Sequence, residues 1–250
     1  MDVALVTGAT AGIGFAYARA LAVRGAGLVL VARDGERLAR RAGELRSAYG
    51  VTVDVLPADL ATPEGLRAVE DRLSAPARPV RWLVNNAGFG LGRPFGEAEL
   101  CEEDRLLDVL VRAPLHLTRA AVPGMVERGD GVVVNVSSVA GFVPRGTYAA
   151  AKAWVTSFTV GLHGELAGTG VRAQALCPGW TRTEFHDRAD LDMGWVPRSM
   201  WLSAERVVEG SLSDLARGRV VSVPGWRYKP LPALARALPP ALLARVAARR

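Results

Sequence analysis

The sequence predicts an α/β fold: one doubly wound parallel sheet, in three α/β/α layers. Three observations predict it. Seven short apolar runs rich in β-branched residues recur along the 250 residues, segments of helical length separate them, and the first run ends in a glycine-rich turn that opens a helix. Continuous apolar runs suit strands buried on both faces, and parallel neighbours need crossovers long enough to hold a helix. With half its residues hydrophobic and 22% charged, the chain can bury one sizeable core, so residues 1–250 read as a single domain.

The first run, DVALVT (2–7), leads straight into TGATAGIG (7–14), and the helical pattern FAYARALAVRG follows. Gly8, Gly12 and Gly14 let this turn take positive φ and let a phosphate come close to the backbone, where the helix N-terminus offers unpaired N–H groups. The context of strand, turn and helix makes the turn a dinucleotide site and the sheet Rossmann-like. LVLVA (28–32) ends in Ala32, Arg33 and Asp34. VTVDVL (51–56) precedes Asp59 and Leu60, then Thr62-Pro63, a cap and first-turn pair. RWLVNN (81–86) runs into NNAG (85–88). The helical stretch 102–126 carries Pro114, where a kink or local break is expected. GVVVNVS (131–137), VRAQALC (171–177) and RVVSV (219–223) supply the last three strands.

The spacing G-x-x-x-G-x-G, followed in order by Asp59-Leu60, NNAG, Tyr148 with Lys152, and PGWTRT (178–183), resembles the short-chain dehydrogenase/reductase superfamily over roughly residues 2–185. The resemblance implies an oxidoreductase with a nicotinamide cofactor. It implies that Gly8, Thr10, Gly12, Ile13 and Gly14 hold the pyrophosphate side and that Asp59 and Leu60 border the adenine. Asn86, Ala87 and Gly88 would line the ribose and phosphate side, with Asn85 bracing the strands. Pro178, Gly179, Thr181 and Thr183 would lie at the nicotinamide, whose carboxamide Thr183 would hold. NAD sites place a carboxylate at the end of the second strand, whereas NADP sites offer an arginine to the 2′-phosphate. Ala32 and Arg33 at that place favour NADP(H) over NAD(H), while Asp34 is one position away.

Reducing a ketone needs an acid at the carbonyl oxygen. A tyrosine is a poor one unless a nearby ammonium lowers its pKa, and residues four apart share a helix face, as Tyr148 and Lys152 do. Only Lys152 and Lys229 are lysines among the 31 basic residues, and a lysine offers rotatable donors to ribose hydroxyls that a guanidinium does not reproduce. A serine hydroxyl beside the tyrosine would steady the carbonyl. Ser137 and Ser138 are both candidates, and the family pattern points to Ser138. The catalytic set is therefore Ser138, Tyr148 and Lys152.

Two departures from the family pattern stand out. Nine residues separate Ser138 from Tyr148, about three fewer than usual, which reshapes the loop beside the substrate. Leu110 occupies the place of an asparagine that would link the lysine to water, and leucine cannot hydrogen-bond. Residues 180–216 resemble a substrate-binding loop and helices. Their aromatic content points to a small hydrophobic carbonyl or alcohol substrate, with Phe89, Val139, Trp180, His186 and Trp195 as pocket candidates. Oligomer packing is the competing reading of those rings.

The net charge of +6 does not indicate nucleic acid. Eight basic residues and no acidic one lie from 217 to 250, which leaves −2 for residues 1–216. Residues 230–250 form a basic amphipathic tail that either docks on its own domain or on a partner subunit, or touches an anionic lipid surface. No signal peptide, membrane span, metal-ligand cluster or disulfide spacing is read from the sequence, so a cytoplasmic homo-oligomer, dimer or tetramer, is expected. The rival functions are a nucleotide-binding regulatory or structural protein with little redox activity, and a membrane-associated 3-ketoacyl thioester reductase.

Overall fold

The computed structural model describes residues 2–189, 191 and 193–239. Its sheet has seven parallel strands: β1 (Val3–Thr7), β2 (Gly27–Ala32), β3 (Val53–Pro57), β4 (Val80–Asn85), β5 (Gly131–Val136), β6 (Val171–Leu176) and, after a two-strand ribbon, β9 (Val221–Ser222). Their order is β3-β2-β1-β4-β5-β6-β9. All seven expected runs hold a strand, and β1, β2 and β5 are buried on both faces. Ala4 and Val6 of β1 pack under one helix layer and Val3 and Leu5 under the other, the period of two a strand imposes.

The first layer is α1 (Gly12–Ala22), α2 (Gly35–Tyr49) and α8 (Ala204–Ala216), which seat Leu21, Leu38 and Val207 on the sheet. The second includes α3 (Pro63–Ser74) and α5 (Ala113–Glu127), which contribute Val69 and Leu117. Crossovers from β1 run to the β2 side and those from β4 to the β5 side, so the strand order reverses between β1 and β4. A crevice opens there beyond the carboxyl ends of the strands, and loops from both halves of the chain meet in it.

The break expected at Pro114 takes a particular form. Helix α4 (Leu100–Leu107) continues into α5 through one wide π turn, Asp108–Arg112. Proline has no N–H to donate to the preceding turn, and the wide turn accommodates the missing bond without ending the helix. Leu110 lies in that turn.

Beyond β6 the chain builds a cover over the crevice. Strand β7 (Thr181–Arg182) pairs with β8 (Leu202–Ser203), and α7 (Phe185–Arg188) lies between them. Helix α6 (Gly146–Glu165) carries Tyr148 and Lys152, and α9 (Leu231–Ala237) follows β9. Leu231 packs with Val139 and Phe142, so this part of the tail docks on its own chain. The rest of the tail, 240–250, lies outside the described residues. Among the described residues no helix is long and apolar enough to cross a membrane.

Candidate active site

The glycine turn is packed so that only glycine fits. Gly8 and Gly12 have φ of +64° and +54°, and a Cβ on Gly14 would lie 2.4 Å from both the Asn86 amide and the Gly8 carbonyl oxygen. Ala11 caps α1 without a side-chain acceptor, which leaves the first-turn N–H groups for another oxygen. That is what a cofactor pyrophosphate requires, and the turn fits it. Thr10 is buried, and its carbonyl accepts from Arg41 Nε at 3.1 Å. Ile13 packs against the core.

The NNAG segment is held by the same turn. Asn86 donates from its side chain to the carbonyls of Thr7 (2.8 Å) and Gly8 (3.2 Å), and the backbone N–H groups of Asn86 and Ala87 donate to the Thr7 hydroxyl. Asn85 bridges to Asn135 and Thr118, bracing β4 and β5. The Asn86 side chain therefore secures the loop to the glycine turn.

At the end of β2, Ala32 presents no carboxylate and Arg33 is exposed. Asp34 is the N-cap of α2, its carboxylate accepting from the Arg37 N–H at 2.9 Å. Asp59 also has partners. Burial works against its charge, but bonds from Arg105 and Ala61 and the charges of Arg105 and Arg33 hold its carboxyl below the usual range. Leu60 is buried.

Ser138, Tyr148 and Lys152 converge beyond β5. Ser138 caps a short 3₁₀ turn at residues 139–142, accepting from the Ala140 N–H, and its hydroxyl acts to lower the Tyr148 pKa. Ser137 points elsewhere, donating to the Lys152 carbonyl at 2.6 Å, so the two serines are told apart by their partners. Lys152 Nζ donates to the Val136 carbonyl at 2.8 Å and lies 5.7 Å from the Tyr148 ring centroid. Leu110 is buried beside it: a Cβ on Gly88 would meet Leu110 Cδ2 at 2.8 Å and Lys152 Nζ at 3.8 Å. Burial lowers the Lys152 pKa to about 8. Burial pushes the Tyr148 pKa up to about 12, and Ser138 acts against that rise.

Other expected residues take different places. Thr181 is buried and donates to the Gly179 carbonyl, closing a turn. Gly179 has no room for a Cβ, which would come within 2.2 Å of the Tyr228 ring, so its requirement for glycine comes from packing. Val139 joins the cluster around Tyr228, whereas Phe89 packs beside Leu110 and Tyr148. The Thr183 methyl approaches Gly12, where a Cβ would come within 2.8 Å.

The cover is aromatic. Trp180 lies 5.7 Å from His186, 5.6 Å from Trp195 and 6.4 Å from Trp201 between ring centroids. His186 is buried, its Nδ1 has no hydrogen-bond partner among the described residues, and burial lowers its pKa. Two functional candidates escaped the sequence reading. Phe185 lies 5.7 Å from the Tyr148 ring and against Gly90, covering the tyrosine. Tyr228 accepts from the Trp180 N–H and donates to the Met200 carbonyl, anchoring the cover from below. Neither carries a signal in spacing or composition, since their partners lie far along the chain.

A family model described as short chain dehydrogenase matches residues 2–193. The chain belongs to the short-chain dehydrogenase family. It is accordingly an oxidoreductase acting on alcohol and carbonyl groups. Among relatives of this family, sulfoacetaldehyde reductase 2 of Chromohalobacter salexigens is 39% identical over 189 residues, which are 74% of each chain. The match spans 60% and 62% of two further relatives. A short-chain dehydrogenase from Sphingobium yanoikuyae in complex with NADPH superposes with a TM-score of 0.88 at 37% identity, covering 95% of this chain and 94% of that one. The bulky-bulky ketone specific alcohol dehydrogenase from Comamonas testosteroni gives 0.83 at 33%, covering 95% and 93%. A Burkholderia phymatum member that holds NAD gives 0.81 at 29%, covering 94% and 92%. The family thus shows a nicotinamide cofactor without deciding which one.

Proposed function

We propose that this short-chain dehydrogenase reduces a hydrophobic ketone with NADPH and oxidises the matching secondary alcohol in reverse. The observation that carries the reading is the placement of Ser138 at the turn after β5 beside α6, whose Tyr148 and Lys152 stand one helical turn apart with Lys152 Nζ 5.7 Å from the Tyr148 ring centroid. Bound NADPH would supply a hydride to the carbonyl carbon. Ser138 donates to the substrate oxygen and fixes it within reach of Tyr148. Tyr148 gives its proton to that oxygen as negative charge develops there. A tyrosine pKa pushed up by burial keeps the phenol protonated, which suits the reductive direction. Lys152 holds cofactor ribose hydroxyls and, once positive charge accumulates nearby, favours the phenolate that remains.

NADP(H) is favoured over NAD(H) because Ala32 brings no carboxylate to the ribose and Asp34 is committed to its helix cap. The bulky ketones named for the Comamonas enzyme agree with an apolar cover of Trp180, Phe185 and Trp195. Exposed Leu115 and Val126 on α5 and Val160 on α6 support self-association. The rival, a nucleotide binder without redox chemistry, draws on Leu110, which puts an apolar side chain where Lys152 would meet water.

Tyr148→Phe separates the two. The enzyme reading expects kcat for NADPH oxidation with an aryl ketone to fall at least about 10²-fold while NADPH affinity stays within about twofold. Equal, negligible turnover in both proteins across a ketone and aldehyde panel would favour the binder.

A further inference from the structure

An ion pair joins the adenosine end of the crevice to its catalytic end. Arg37, in the first turn of α2, donates to both carboxylate oxygens of Glu184, one bond at 2.9 Å and the other, from Nη2 to Oε1, shorter still. The two residues are 147 positions apart, and Arg37 is only 22% exposed. Glu184 follows Thr183, which leans on Gly12 of the phosphate turn, and precedes Phe185, which lies over Tyr148. The carboxylate has a second partner, Arg188, at 2.6 Å. Both arginines hold its pKa below the usual carboxylate range, the Arg37 hydrogen bond foremost.

Arg37 lies in the first turn of α2, four residues after Arg33, on the helix that begins where a ribose 2′ group is read. Arg41, one turn further, already reaches the Thr10 carbonyl. A guanidinium there meets a phosphate with the same two-pronged geometry it now gives Glu184, and a dianion attracts it more strongly than a carboxylate does. Glu184 can leave without being stranded, because Arg188 remains its partner.

We propose that Glu184 and the 2′-phosphate of NADP(H) compete for Arg37, so that the Arg37–Glu184 pair is a latch the phosphorylated cofactor opens. Opening frees the segment that starts at Glu184 and lets Phe185 move off Tyr148. The latch ties discrimination between the two cofactors to uncovering of the acid, and Arg37 joins Arg33 as a specificity-determining residue. The inference rests on NADP(H) being the cofactor.

The test measures affinity and exchange, not turnover. NADPH and NADH are titrated against the full chain and its Glu184→Gln, Arg37→Gln and doubly substituted forms. Glu184→Gln is expected to tighten NADPH about three- to tenfold and leave NADH unchanged. Arg37→Gln is expected to weaken NADPH at least about tenfold, leave NADH unchanged and abolish the gain from Glu184→Gln in the double variant. Hydrogen exchange across 184–189 should rise with adenosine 2′,5′-bisphosphate and not with adenosine 5′-monophosphate. If Arg37→Gln weakens both dinucleotides alike, or keeps the full NADPH preference, the latch is overturned and the cofactor assignment stands. A wild-type chain that binds NADH as tightly as NADPH would overturn the cofactor assignment, and the latch with it.

Discussion

The two sides of the crevice are built by different physics. On the cofactor side, the turn 7–14 and the segment 85–88 are locked by polar bonds between backbone and short side chains, with Thr7, Gly8 and Asn86 at the centre. On the substrate side, residues 180–202 are held by ring-to-ring contacts at 5–6.5 Å and by a tyrosine hydroxyl arriving from residue 228. Hydrogen bonds fix residue type and spacing together, because geometry tolerates little error. Apolar rings can exchange places at small cost so long as volume is conserved. The first side can therefore serve one ligand only, whereas the second can be recut for a new substrate without disturbing the chemistry.

Substitutions that break this contrast should do most harm on the cofactor side. Gly14→Ala forces a methyl to within 2.4 Å of the Asn86 amide and the Gly8 carbonyl. We expect NADPH affinity, measured by fluorescence titration, to fall by about 10²-fold, with about 2–4 kcal/mol lost from stability in urea. An affinity within threefold of wild type would mean that the turn is not the phosphate cradle.

Lys152 sits at the junction of the two sides, and its burial has a pH signature. Burial takes its pKa down to about 8, from the ordinary 10.5 of a lysine in water. Between those values the unfolded chain binds the extra proton, so stability contributed by this site rises with pH through the window and is flat below it. Denaturation of wild type against Lys152→Met from pH 7 to pH 10 should show wild type gaining on the order of 2 kcal/mol relative to the variant. The comparison stops at pH 10 because Tyr148, raised to about 12, loses stability above it. A constant difference would mean that the ammonium is solvated, with a route to water past Leu110.

Effects on the aromatic side should be smaller and should change preference more than rate. Phe185→Ala removes the ring over Tyr148 and Gly90, and we expect relative kcat/KM for bulky against small ketones to rise by about tenfold, with NADPH affinity unchanged. Trp195→Ala, at a ring 49% exposed, should alter the same ratio by no more than about threefold. If Phe185→Ala lowered cofactor affinity as far as Gly14→Ala, the Phe185 ring would belong to the cofactor seat and not to the cover.

The same contrast explains what could be read from the amino acids. The strands of the main sheet were legible as short apolar, β-branched runs, interrupted in β3, β4 and β6 by Asp54, Arg81, Arg172 and Gln174, and the glycine turn because left-handed φ at Gly8 and Gly12 leaves little choice of residue. The pair β7 and β8 was not, since neither, unlike β9 within RVVSV, lies in a β-branched apolar run. Pro114 predicted a disturbance, but its form, a π turn that buries Leu110 against Lys152, depends on contacts with α6. Ser138 was separable from Ser137 only by resemblance, whereas in the fold each hydroxyl has its own partners. The Arg37–Glu184 pair and the seat of Tyr228 under Gly179 join positions 147 and 49 apart in numbering, and no local pattern could announce them.

The most direct measurement is the fate of the hydride. NADPH deuterated at C4 on the transferred face, mixed in a single turnover with excess enzyme and a bulky aryl ketone, should place its deuterium on the carbinol carbon of the alcohol as the cofactor absorbance decays. A chain that binds the labelled NADPH but delivers no deuterium to any ketone or aldehyde of a broad panel would contradict the reductase assignment.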